Sequence, residues 1–144
     1  MIQAAKSLCT RFRPNAGVIQ SWDVKGNSWQ SERGWECPVI IDNMMNLELL
    51  FEATKLSGDS TFYKVAVAHA DRTLSEHFRP DGSCYHVVTT IFRTAPYVIN
   101  RQHKDMLMNR FGHAGRHGLS MASLFAIVKR KTAKYLDQAL KTLQ

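Results

Sequence analysis

Asp42 sits in the run CPVIIDNMMNLELL, residues 37–50, with Ile41 before it and Asn43, Met44 and Met45 after it. An acid in that setting can do proton-transfer chemistry. Apolar neighbours partly desolvate a carboxyl and favour the neutral form that a general acid uses. The start of a helix works the other way and favours the anion. The plain alternative is that Asp42 caps a helix, a role worth about 1 kcal/mol. His113 and His117 stand at i,i+4, a spacing that could hold a metal on a helix. Gly112, Gly115 and Gly118 argue against that helix and leave solvated surface histidines as the better reading. Cys9, Cys37 and Cys84 are odd in number and form no CxxC pair, which suits free thiols rather than a disulfide framework or zinc cluster. Trp22, Trp29 and Trp35 crowd into fourteen residues, so some of them must pack or face a ligand. His86, in CYHVV, reads by itself as a strand histidine facing solvent.

The elements that must position these groups are mostly helical. Residues 2–11 read as a short helix ending before RPNAG, where Pro14 and Gly17 mark a loop. The Trp-, Gly- and Ser-rich stretch VIQSWDVKGNSWQSERGWE reads as loop or short strands. Residues 42–57 read as a helix with Met44, Leu47, Leu50 and Phe51 towards the core and Gly58 as its stop. Asp59 or Ser60 can cap the next helix, on which Phe62, Val65, Ala66 and Ala70 recur to about Phe78. So short a link predicts an αα-hairpin. RPDGS then turns the chain, CYHVV is a short strand, and AKYLDQALKTL is helical again.

The net charge is +7, which would ordinarily point to nucleic acid or an anionic surface. All of that excess lies in residues 89–131, which hold eight Lys or Arg and one acid, Asp105. That stretch has no clear period and only irregularly spaced aromatics, Phe92, Tyr97, Phe111 and Phe125, where a binding module interleaves basic and aromatic groups. The N-terminal residues show no apolar core of a signal peptide. The longest apolar run, LSMASLFAIV, is too short to span a bilayer. A length of 144 residues suits one core.

NAGVIQSWDV, CPVIIDNMMNLELLFEATKLSGDSTFYKVAVAHADRTLSEHFRPDGSCYHVV and the terminal KYLDQALKTL together resemble the unsaturated glucuronyl hydrolases of glycoside hydrolase family 88. The resemblance covers about residues 4–88 and 134–143. It implies an all-α fold, a partial (α/α)6 toroid holding about two of the ring's six helical hairpins. Residues 1–144 would then be a fragment of one catalytic domain, with 89–131 an atypical, poorly ordered basic segment.

The resemblance further implies hydration of the 4,5 double bond of a terminal unsaturated uronic acid, in oligosaccharides left by polysaccharide lyases. Asp42 matches the family's general acid/base, His86 a histidine that contacts substrate, and Trp22 an aromatic position of the sugar site. The insertion SERGW lies between Trp22 and Asp42. Trp29 and Trp35 take no role from the resemblance. No cofactor or metal is expected, nor a nucleic-acid or membrane partner; the compartment implied is a bacterial cytoplasm or periplasm.

After YHVV the family continues into a block that carries substrate-binding Gln, Arg and Trp residues, and that block is missing from this sequence. Read two bases on, codons for KDMLMN can give GYADES, and those for NRFGHAGRHGL can give SVWARGQAW. Residues 89–131 therefore read as that block translated out of frame. The family's second important Asp would lie before Met1, so the chain is expected to be incomplete and inactive alone. Two other classes compete: a basic anion- or nucleic-acid-binding module, and a helical-repeat interaction protein, for which no internal repeat is detectable.

Overall fold

The computed structural model describes residues 1–80, 84–91 and 98–101. Helix α1 (Ile2–Cys9) leads into a two-stranded hairpin, β1 (Phe12–Arg13) and β2 (Val18–Ile19), and then a one-turn helix, α2 (Trp29–Glu32). Strand β3 (Cys37–Ile40) runs straight into a 3-10 helix (Ile41–Asn46), which continues as α3 (Leu47–Ser57). Helix α4 (Ser60–His77) follows, then β4 (Val87–Ile91) and β5 (Val98–Arg101).

The hairpin of α3 and α4 forms as its sequence predicts. Gly58 ends α3 at φ +73, a left-handed conformation that costs glycine little. Asp59 caps α4 by accepting the Thr61 N–H at 2.8 Å. The residues expected to face the core do so: Met44, Leu47, Leu50 and Phe51 meet Phe62, Val65, Ala66 and Ala70, with Ala5 of α1 and Ile19 of β2 closing the cluster. Leu47 and Leu50 are fully buried.

The fold is mostly helical, but it is not all-α. The described residues include an antiparallel sheet in the order β3-β4-β5, with Cys37 opposite Thr90 and Ile40 opposite Val87. CPVI is a continuously apolar strand, and continuous apolarity has no period to separate it from the start of a buried helix. Pro38 is tolerated because β3 lies at the edge of the sheet. Its carbonyl accepts the Ser21 N–H at 2.9 Å.

Three further expectations are corrected. The helix expected over 42–57 begins as a 3-10 helix, and neither it nor α3 has a side-chain cap. Asp42 is therefore not the cap of either. The strand expected at CYHVV starts later, at Val87; Cys84 makes only an isolated bridge to Phe78. The atypical segment does not begin loose, because Thr89 and Thr90 are buried in β4. The rest of that segment, apart from β5 and Ile91, lies outside the described residues. So do the terminal helix, His113, His117 and most of the turn at 79–83.

Candidate active site

The junction of β3 with the 3-10 helix places Asp42. Ile41 carries the β3–β4 pairing one step past Ile40 and Val87, donating its N–H to the His86 carbonyl at 3.0 Å. Asp42 and His86 thus emerge side by side where the two strands begin to part. His86 Nδ1 lies 3.6 Å from Asp42 Oδ2, and the two side chains are 30% and 27% exposed. That separation is an ion pair when the imidazole is protonated and is too long for a hydrogen bond. His86 Nδ1 is itself buried and makes no hydrogen bond among the described residues. The carboxyl thus reaches an open surface with an imidazole beside it.

The desolvation of Asp42 differs from what its neighbours in sequence imply. Ile41 and Met44 point into the core, but Met45 is 55% exposed and shields nothing. Ile41 and Met44 share one face and Asp42 and Met45 another, because side chains three apart eclipse in a 3-10 helix.

Trp22 is brought towards the same edge. The N–H of Ile40 donates to Ser21 Oγ at 3.0 Å, and Gln20 Nε2 spans the Trp22 and Glu36 carbonyls at 2.9 and 3.3 Å. Residues 20–22 therefore run alongside β3. The Trp22 indole is half-buried, and its Nε1 is enclosed without a hydrogen-bond partner among the described residues. No hydrogen bond or ion pair joins Trp22 to Asp42 or His86 among the described residues. Trp29 and Trp35 pack edge to face on one another, 5.3 Å between centroids, with the Arg33 guanidinium over Trp29. They brace the loop, and Ser28 caps its short helix by accepting the Ser31 N–H.

Three buried polar residues around the site were not picked out from the sequence. Asn43 donates Nδ2–H to the Ile19 carbonyl at 2.7 Å. His69 accepts the Ile19 N–H on Nδ1 at 3.0 Å, and burial, with His77 nearby, pushes its pKa down to about 3. His77 Nδ1 meets the Tyr85 carbonyl at 3.0 Å and so donates to it. The signal that could have found the histidines is register: both fall at core positions of α4. Among the described residues no cluster of His, Cys, Asp and Glu could hold a metal ion, and no helix is long and apolar enough to cross a membrane.

No family model matches the chain. Individual relatives do. An unsaturated glucuronyl hydrolase of Formosa agariphila is 51% identical over all of this chain and 34% of its own length. One from Bacillus sp. strain GL1 is 39% identical over 59% of this chain and 21% of its own length. The crystal structure of an unsaturated glucuronyl hydrolase from Bacillus sp. GL1 superposes on 98% of this chain and 36% of its own, with a TM-score of 0.73 at 28% identity. A heparin-specific unsaturated glucuronyl hydrolase superposes on 99% of this chain and 36% of its own, with a TM-score of 0.76 at 27% identity. The chain spans about a third of the length of the full-coverage relatives it matches. In sequence and in fold, it is related over that third to the unsaturated glucuronyl hydrolases.

Proposed function

We propose that this chain carries the acid/base portion of an unsaturated glucuronyl hydrolase, with Asp42 as the proton-transferring group. The observation that supports it is the Asp42–His86 pair, 3.6 Å apart and half-exposed, in a chain 51% identical overall to such a hydrolase. The substrate would be an oligosaccharide ending in a 4,5-unsaturated uronic acid. A solved relative at 28% identity is paired with dGlcA-Glc-Rha-Glc, and another relative is specific for heparin.

Asp42 in its neutral form protonates carbon 4 of the double bond, leaving positive charge shared by carbon 5 and the ring oxygen. The carboxylate then takes a proton from the water that adds at carbon 5, and Asp42 returns to its neutral form. The resulting hemiketal opens and releases the neighbouring sugar. No cofactor enters, because the proton lent at the first step is recovered at the second. His86 contacts the substrate and steadies the transient carboxylate; Trp22 forms an aromatic wall of the sugar site.

In this reading the described fold is a piece of an (α/α)6 toroid, and α3 with α4 is one of its hairpins. Residues 89–131 represent the next block of the same domain in a displaced frame. Positioning of a bound substrate supplies on the order of 7–11 kcal/mol in well-oriented systems, and the groups that would do it are the Gln and Arg of the displaced block, the family's second Asp and the rest of the ring wall. The 144-residue chain should therefore turn over poorly, and a polypeptide extended to the relatives' length with the frame restored should be active. The assay is loss of ultraviolet absorbance from the conjugated double bond of an unsaturated disaccharide. Absorbance that persists with the extended protein would refute the assignment.

A further inference from the structure

Two buried histidines of α4 each grip the backbone of a segment that borders one member of the Asp42–His86 pair. His69, fully buried, accepts the Ile19 N–H on Nδ1 at 3.0 Å. The Ile19 carbonyl accepts Asn43 Nδ2–H at 2.7 Å, and Asn43 directly follows Asp42. Ile19 is opposite Phe12 in the β1–β2 hairpin, and its two backbone polar groups are held by side chains from α4 and from the 3-10 helix. Farther along α4, about 12 Å at 1.5 Å per residue, His77 is 2% exposed and donates Nδ1–H to the Tyr85 carbonyl at 3.0 Å. The Tyr85 N–H returns to the His77 carbonyl at 2.7 Å. Tyr85 directly precedes His86. Arg79 reinforces this end, donating to the Cys84 carbonyl at 3.1 Å and stacking 3.7 Å from the centre of the Tyr85 ring.

We propose that His69 and His77 are positioning residues that set the spacing of Asp42 and His86 by clamping Ile19 and Tyr85. This rests on the reading of that pair as the acid/base site. The chemistry of the clamps differs from simple core filling. An apolar side chain could occupy either volume, but it would leave the Ile19 N–H or the Tyr85 carbonyl buried without a partner. A buried backbone group in that state shifts until it finds one, and the shift passes to the adjoining member of the pair. Sequence places the clamps far from the residues they serve. Ile19 lies fifty residues before His69, and α4 packs against β2, the 3-10 helix and β4.

The test uses the 144-residue chain with ¹⁵N-labelled histidine. The displacement of the His86 ring nitrogen signals caused by Asp42→Asn measures how closely the two groups are coupled. In a His77→Phe background that displacement should shrink at least about twofold, as coupling between separated sites does. His77→Asn places an amide N–H where Nδ1–H stood and should restore it, which a space-filling role would not require. A full-sized displacement in folded His77→Phe overturns the proposal. If His77→Phe does not fold, hydrogen exchange of the unmodified chain decides. Protection of the Ile19 amide and of the His77 ring N–H equal to that of amides in the middle of α4 supports the clamps, and exchange of either at loop rates overturns them. These signals are read without substrate, so a failure of the proposed activity leaves them intact and is seen separately in the absorbance assay.

Discussion

The Ile41 N–H donates to the His86 carbonyl at 3.0 Å, tying the residue before Asp42 to His86 itself. That backbone hydrogen bond brings Asp42 and His86, forty-four positions apart in the chain, side by side. It extends the β3–β4 pairing to the edge where the two side chains emerge. A strand pair delivers two side chains to one edge with a fixed spacing, whereas two helices joined by a loop would not.

Gly58→Ala should lower stability by about 1–2 kcal/mol. Gly58 holds φ +73, and an added Cβ there meets no atom within 4 Å. The cost is thus the left-handed backbone alone, which falls in that range for an L-residue. Urea unfolding followed by circular dichroism measures it. An unchanged midpoint would show that the helix end can re-form around alanine.

Stability should fall in acid because of His69. Its folded pKa is pushed from an ordinary 6.5 down to about 3 by burial, with a smaller contribution from His77. The unfolded chain therefore binds more protons between those two values. The contribution is complete above pH 6.5 and is lost as pH falls towards about 3. Each tenfold in proton affinity is worth about 1.4 kcal/mol, so the loss is on the order of several kcal/mol. Unfolding free energies across that window should fall less steeply in His69→Asn, which keeps an acceptor for the Ile19 N–H but cannot titrate. Parallel curves for the two proteins would contradict the assignment.

Cys37 should be the slowest of the three thiols to react. It is fully buried, and burial pushes its pKa up to about 11 despite Arg13 and Arg11 nearby. Cys9 and Cys84 are partly exposed. Since the thiolate is the nucleophile, alkylation at pH 8 with mass-spectrometric mapping should label Cys9 and Cys84 first. Early labelling of Cys37 would mean that β3 opens readily.

The helical hairpin was legible because its signals agree with one another. Apolar period, a left-handed glycine and an aspartate cap all mark the same boundaries at residues 57–60. Met44, Leu47, Phe62 and Ala66 were readable for the same reason. Strand β3 was not, because CPVI has no alternation to show and its partner lies fifty residues on. Asp42 and His86 came from resemblance rather than from pattern. Their proximity depends on strand pairing, which local sequence does not encode. His69 and His77 were hidden among the apolar positions of α4, where only packing against Ile19 and Tyr85 reveals their use.

The frame reading makes its own claim on the gene. Translated two bases on across codons 89–131, the coding DNA should give an uninterrupted segment containing WARGQAW or a near variant. A stop codon in that window, or an unrelated sequence, would remove the idea.

The most direct measurement compares Asp42 with Asp42→Asn in the polypeptide extended to the relatives' length. General acid–base catalysis contributes about 10²–10⁴-fold in rate, and asparagine keeps the shape while removing the proton. The rate of absorbance decay from an unsaturated disaccharide should fall by that factor, with the circular dichroism spectrum unchanged. A near-normal rate in folded Asp42→Asn would contradict the acid/base assignment and return Asp42 to a purely structural role.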